Sequence, residues 1–263
     1  MIKMLSEFLA QYGQILLIVC PMVFLASFVD SIAGGGGLIS LPAYLFAGLP
    51  VHVAAATNKF SACVGTICAT IKFFLSGKIV LTTAVPSAIG ALIGSPIGTN
   101  IALHIPEEIL NLILLIALPC VGVFMALRRD LGAETVEKNL SERRAVATSL
   151  LIGFVIGCYD GLIGPGTGTF LILAFTTFLG YDLLLSSGCA KVANSASNCA
   201  SMVVFFMNGK VLLPVGIPAA VFSILRSQVG SKLAIQGGAR IVRVLIFVVL
   251  GLLIVKTLSG FLA

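Results

Sequence analysis

Charge is what this sequence has least of. Of its 263 residues only 26 are Asp, Glu, Lys or Arg, about 10%, where soluble domains carry roughly 25%. A surface so poor in charge could not face water, so the solvent of most of the chain is lipid. That excludes a cytosolic enzyme, a coiled coil and a disulfide-rich secreted domain. The charges are also unevenly spread: nine of them fall between Arg128 and Arg144.

Other scarcities narrow the class. The seven cysteines (Cys20, Cys63, Cys68, Cys120, Cys158, Cys189 and Cys199) all lie in apolar segments and form no CxxC pair. Neither a disulfide framework nor a zinc site is supported, and the thiols read as small packing groups. The two histidines, His52 and His104, sit near segment ends without ligand spacing, so a surface role is expected for both. There is no HExxH and no GxSxG, hence no hydrolytic centre of a known pattern. No metal, no cofactor and no catalytic residue is expected. The net charge of +6 is not clustered as a nucleic-acid footprint and reads as basic residues kept on the cytoplasmic side. The partner to expect is the lipid bilayer, not nucleic acid; a homodimer is left open.

What the chain has is hydrophobicity. Apolar residues make up 59%, mean hydropathy is +1.14, and 28 glycines and 10 prolines interrupt the runs. Apolar segments cover approximately 14–33, 38–47, 53–75, 79–102, 108–127, 146–163, 168–180, 183–207, 211–235 and 240–260. At about 20 residues per span, the length allows roughly eight to ten spans. The stretch from about Ile15 to Val29 runs into Asp30 without a small-residue cleavage site, so it is expected to stay as a transmembrane helix. The hydrophilic stretch Arg128–Arg144 has basic pairs at both ends, which predicts a cytoplasmic loop. It divides the chain into a first transmembrane repeat (1–127), a linker (128–145) and a second repeat (146–263).

The division is a duplication. FFLSGKIV at 73–80 matches FFMNGKVL at 205–212, and the same offset of 132 pairs Gly48 with Gly180, Lys59 with Lys191, Pro86 with Pro218 and Gly98 with Gly230. At an offset of 130, VDSIAGGGG (29–37) falls on YDGLIGPGT (159–167), pairing Asp30 with Asp160 and Gly34 with Gly164. Two intramembrane acids and two intramembrane lysines in the same order are not a chance match of apolar helices. The fold class is an all-α polytopic membrane protein. It has two homologous halves of about four transmembrane helices each, with a Gly-rich broken or re-entrant helix in both. Segments 14–47 and 146–180 would be ~51 Å long as single helices, too long for a ~30 Å hydrocarbon core, so each must break at its glycines. A re-entrant piece after the break gives four spans per half and halves of the same orientation, with Lys78 and Lys210 both cytoplasmic. A full crossing gives five and inverts them. Four is the expectation.

Breaks of this kind expose backbone to a cavity. Glycine lets the chain leave helical geometry, Pro165 resists helix continuation, and a half-helix starting after the break points N–H groups and a positive dipole end inward. That suits an anion at Gly34, Gly35, Gly36, Gly37, Gly164, Gly166, Thr167 and Gly168; the plainer alternative is close helix packing. Ionisable Lys59 and Lys191 sit in apolar segments, beside Thr57, Asn58, Asn194, Ser195, Ser197 and Asn198. Lys191, Asn194 and Asn198 share one helix face. Lysines, amides and hydroxyls with few acids describe an anion site. Alternatively each lysine snorkels to an interface or pairs structurally with Asp30 or Asp160. The two acids precede the breaks and read as caps, lysine partners, or protonation sites for coupling or gating. Arg226, whose repeat position is Gly94, is a third candidate anion contact or gate. Tyr159 could bond across the cavity or sit at an interface.

These residues also carry a family resemblance. DSIAGGGGLISLP, AATNKFSACVGTICATIKFF, YDGLIGPGTGTF and AKVANSASN…FFMNGKV together resemble the TauE/SafE sulfite exporter family (4-toluene sulfonate uptake permease-like), in its YfcA-like branch. The resemblance covers nearly the whole chain in order. It implies a secondary transporter, in the exporting direction, for a small anion such as sulfite, sulfoacetate or a related organosulfonate, in a bacterial inner membrane. It also implies that Gly34 to Gly37, Gly164 to Gly168, Thr57, Asn58, Lys59, Lys191, Asn194 and Asn198 form the site. The alternatives are an intramembrane enzyme acting on a phosphorylated lipid and a membrane assembly factor.

Overall fold

The computed structural model describes residues 2–127 and 140–236; the apolar segment 240–260 and most of the hydrophilic connection lie outside the described residues. Among the described residues the chain is helical throughout, without strands. In order these are α1 (Ile2–Ala33), α2 (Gly37–Phe46), α3 (Val51–Leu75), α4 (Leu81–His104), α5 (Glu107–Leu127), α6 (Glu142–Leu162), α7 (Thr167–Ala174, continued by a π-helical turn at Phe175–Leu179), α8 (Leu183–Met207) and α9 (Leu213–Gln236). Stretches of α1, α4, α6 and α9 are long and apolar enough to cross a membrane. At 25 residues each, α3 and α8 extend ~37 Å, also enough to cross. Their hydropathy is lowered by polar residues that are buried, among them Thr57, Asn58, Lys59, Lys191, Asn194 and Asn198.

The helices are built inside out. On α4 the large aliphatics Ile89, Leu92, Ile93, Ile97 and Ile101 are exposed, while Ser87, Gly90, Ala91, Gly94, Ser95 and Gly98 are buried. Lipid rewards neither arrangement of aliphatics, so small and hydroxylated residues face the protein, where helices approach closely and polar groups find partners. This is a multi-pass membrane protein.

Both long apolar stretches break where glycines allow it. Gly34 (φ +70°) and Gly35 (φ +89°) end α1, and Gly164 (φ +87°) and Gly166 (φ +90°) separate α6 from α7, conformations that cost other L-residues strain. Across each break the chain folds back. Gly36 lies against Ala26 and Asp30, and Leu41 and Tyr44 share a core with Val19 and Val23, so α2 returns along α1. Likewise Tyr159 packs edge-on against Phe170 and its hydroxyl donates to the Pro165 carbonyl. At 10 residues, or ~15 Å, α2 is half the thickness of a hydrocarbon core. The expected half-helices are present.

The registers of the contacts give the helix directions. Along α3 and α8, Lys59 meets Asn198, Cys63 Sγ lies 3.0 Å from Cys199 Sγ, and the Thr70 hydroxyl reaches the Lys191 carbonyl: the helices are antiparallel. Gly90, Gly94 and Gly98 of α4 meet Leu150, Phe154 and Cys158 of α6 in ascending order, and Val80 and Ser95 meet Cys189 and Ser201 of α8. Ser27 and Phe28 of α1 meet Ser223 and Gly230 of α9, while Gly65 and Lys72 of α3 meet Ser223 and Gln228. Thus α1, α3 and α9 run one way and α4, α6 and α8 the other. Each helix opposes its repeat counterpart, so the halves are inverted and Lys78 and Lys210 lie at opposite ends. The expectation of equal orientation fails because α2 folds back along α1, so α3 runs in the same direction as α1 rather than opposite to it.

Contacts recur at the repeat offsets. The Leu212 N–H donates to Thr57 Oγ1 at 3.1 Å, and the Val80 N–H to Cys189 Sγ at 3.4 Å. Both bonds run between halves, and each is the image of the other.

Candidate functional site

The two breaks meet. Gly34 lies against the backbone of Gly168 and Thr169, the Thr169 hydroxyl donates to the Ala33 carbonyl at 3.1 Å, and Gly37 faces Pro165. A Cβ on Gly34 would overlap the Gly168 carbonyl carbon, so the approach depends on having none. The N-terminal ends of α2 and α7 therefore converge at one point, and their dipoles favour negative charge there.

Beside this junction lies a cavity of about 60 Å³, room for about four water molecules. Asp30, Asn58, Lys59, Asp160, Asn194 and Asn198 line it. So do the break residues Gly35, Gly36, Gly37, Gly164, Gly166, Thr167 and Gly168. The structure thus gathers most of the residues singled out in the sequence. It adds serines from two helices, Ser27 and Ser31 of α1 and Ser223 and Ser227 of α9. Their signal was available: hydroxyls four apart share one face of an otherwise apolar helix.

Four expected residues, Gly34, Thr57, Lys191 and Arg226, stand outside the lining. The hydroxyl of Thr57 holds the Leu212 N–H at the start of α9. Lys191, 1% exposed in its side chain, lies beneath the first break, where its ammonium contacts the Asp30 carbonyl and, at 3.2 Å, Asp30 Oδ2. Arg226 stacks over Phe28 and Phe24, its centre 4.2 and 4.9 Å from the rings, at the α1–α9 seam, with its Nε buried and without a partner. Gly34 serves the junction, and Tyr159 holds its own break closed. His52 is buried rather than at the surface: Nε2 lies 3.0 Å from the Ala102 carbonyl and Nδ1 3.3 Å from Glu107. The imidazole ties the start of α3 to the end of α4, a tertiary partnership that its neighbours in sequence do not reveal. His104 is exposed, as expected.

The lysines are paired crosswise. Lys59 of the first half lies 2.6 Å from Asp160 Oδ1 of the second, and Lys191 of the second half pairs with Asp30 of the first. Of the two plain alternatives to an anion contact, snorkelling and pairing with the acids, the structure has the pairing. Burying a charge is tolerable only with a partner and further hydrogen bonds, and both are present. Asp160 receives the Thr167 hydroxyl at 2.7 Å on Oδ1 and the Ser197 hydroxyl on Oδ2. Asp30 Oδ1 accepts the Gly36 N–H at 3.3 Å, near the start of α2, so it combines capping with pairing. Lys59 also donates to Asn198 Oδ1 at 3.2 Å. Asn58, which lines the cavity, has its Oδ1 buried without a partner. Among the described residues no cluster of three metal-ligating side chains occurs.

A bundle of apolar helices in which two broken helices meet at a cavity carrying charged, amide and hydroxyl groups has the features of a membrane transporter. The chain belongs to the TauE/SafE family, since the family model described as "Sulfite exporter TauE/SafE" matches residues 19–257. It is similar to the probable membrane transporter protein YfcA of Escherichia coli K12, 34% identical over 90% of this chain and 87% of that one. It resembles the probable membrane transporter protein ORF9 of a Sinorhizobium species to the same degree, over 90% and 89% of the two chains. A probable membrane transporter protein of Haemophilus influenzae is likewise 34% identical, over 86% and 87%. No solved structure matches the chain. Family and relatives alike are named as transporters rather than enzymes.

Proposed function

We propose that this protein is a secondary transporter, working as an exporter in a bacterial inner membrane, for a small anion such as sulfite, sulfoacetate or a related organosulfonate. One observation carries the reading. Lys59 lines a small buried cavity at the joined N-termini of two broken helices, surrounded by the amides of Asn58, Asn194 and Asn198 and by serine hydroxyls. Ammonium, amide and hydroxyl donors together with helix N-termini bind an oxyanion. The cavity's size suits a headgroup of a few heavy atoms, and the family's name supports a sulfur oxyanion. Lys59 supplies charge, the asparagines set orientation, and Lys191 acts from below by holding the first break on Asp30. Transport proceeds by alternating access at the midplane junction between the two halves.

Flux of labelled sulfite and sulfoacetate into liposomes holding the purified protein tests this. Lys59→Gln is expected to cut the flux about hundredfold, the scale of losing a charge-assisted contact of ~3 kcal/mol. Flux that survives in the Lys59→Ala, Lys191→Ala double variant overturns the reading. Product released from a lipid phosphate would put an enzyme in its place.

A further inference from the structure

The crosswise ion pairs look equivalent by repeat, but their remaining partners differ, and that difference has a chemical meaning. Asp30, its side chain one-fifth exposed, receives from the protein only donors, the Gly36 N–H and the Lys191 ammonium, whereas the side chain of Asp160 is 2% exposed. A proton on Asp30 would find no acceptor among these protein groups. Asp160 is held by Lys59 and by two hydroxyls, Thr167 and Ser197, which can donate or accept.

The Thr167 hydroxyl shows the consequence most clearly. It lies 2.7 Å from Asp160 Oδ1 and 2.6 Å from the Gly164 carbonyl, and it has a single hydrogen for two acceptors. With a proton on Oδ1, Asp160 donates to Thr167, Thr167 donates to Gly164, and every atom of the chain is satisfied. A proton on Oδ2 is accepted by Ser197 in the same way. Protonation also frees Lys59, which keeps Asn198 and turns its charge to the cavity.

Among the described residues no other charge near Asp160 takes its place. α3 presents Lys59, and α4 carries no Asp, Glu, Lys or Arg and offers Ser95 and Thr99. α7 has no ionisable side chain, α6 adds Tyr159 with its hydroxyl on Pro165, and on α8 Lys191 is occupied by Asp30. Asp30 itself, from α1, shares the cavity lining. An anion arriving at Lys59 while Asp160 stays ionised would place two negative charges on one ammonium in a medium of low dielectric.

We propose that Asp160 is the proton-binding site of this transporter: the anion binds to Lys59 together with one proton taken up by Asp160, while Asp30 remains a fixed charge. The proposal rests on the anion reading above and adds the coupling ion. For a monoanion the loaded site is then as neutral as the empty one, so the movement carries no net charge, and export in this form is driven by the anion's own outward concentration gradient.

The test uses the full chain in detergent and sodium methanesulfonate, whose sulfonate stays ionised, so that any proton must come from the protein. In weakly buffered solution with a pH-sensitive dye, binding is expected to take up about one proton per anion. Affinity is expected to fall about tenfold per pH unit where the empty site is ionised. Asp160→Asn should bind without proton uptake and with affinity independent of pH, whereas Asp30→Asn should keep one proton per anion bound. Binding by the natural protein without proton uptake overturns the proposal, and this holds even if Asp160→Asn fails to fold. Uptake that persists in Asp160→Asn overturns it too. If neither methanesulfonate nor sulfite binds at all, the anion reading fails, and the proton site with it.

Discussion

The α4–α6 seam and the α1–α9 seam are images of each other under the repeat, yet they are made of different things. In the first, Gly90, Gly94 and Gly98 face the α6 backbone, and Gly153, Gly157 and Gly161 face the backbone of Ser87, Ala91 and Ser95. At the matching positions the second seam has Val23, Ser27 and Ser31 on α1 and Phe222, Arg226 and Gly230 on α9. It is held by the Ser27–Ser223 hydroxyl pair at 2.7 Å, a Phe24–Phe222 edge contact and the Arg226 stack. Backbone locked on backbone cannot part without losing its whole contact, whereas side chains can turn aside. The cavity accordingly draws Val23, Ser27, Ser31, Ser223 and Ser227 from the second seam, and from the first Ala102 of α4 and Gly161, next to Asp160, of α6. Symmetry of fold does not bring symmetry of use: one seam is a fixed wall and the other an adjustable one.

Swapping equivalent positions is the way to break this comparison. Gly94→Arg carries the side chain of one seam into the other, where even a Cβ would overlap the Phe154 carbonyl. No folded protein is expected, read as absence of a monodisperse peak in size-exclusion chromatography. The reverse change, Arg226→Gly, should leave that peak in place. Equal outcomes for the two would erase the distinction.

Lys191→Met gives the next largest effect. It leaves Asp30 without its cation, and breaking a buried pair costs about 3 kcal/mol or more. A clear fall in thermal midpoint is expected, with sulfite still bound by the fraction that remains folded. Unchanged stability with lost binding would return Lys191 to the site itself.

Ser27→Ala is the mildest. One hydroxyl–hydroxyl bond contributes about 1 kcal/mol or less, and the seam retains its aromatic contacts. Stability should hardly move, while flux should change measurably if the seam is the adjustable one. Flux identical to that of the natural protein would count against this assignment.

Much of this was legible in the residues. Scarce charge and regular apolar runs marked the helices, nearly to their ends except at the start of α1, which begins at Ile2 rather than about 14, because lipid imposes length and composition on anything that spans it. The glycine runs marked the breaks because few other residues adopt their geometry. The direction of the halves was not legible. It depends on whether ten residues after Gly36 continue onward or fold back, and the contacts of Leu41 and Tyr44 with Val19 and Val23 decide that. Nor could spacing say which acid meets which lysine, since Asp30 and Lys191 stand 161 positions apart. Lys59 and Lys191 were read alike because their local sequences are alike. Only the unequal seams set one facing the cavity and the other beneath it.

The crosswise pairing also sets a timetable for synthesis. The first half enters the bilayer with Asp30 and Lys59 both lacking their final partners, and Asp160 follows Lys59 by 101 residues. At roughly 10 residues per second that is about 10 s of elongation, and longer for Lys191. Through that interval an acid and a base must be kept apart from lipid, by each other or by the insertion machinery. The nascent first half is thus a client to be guarded until the ribosome delivers its counter-ions.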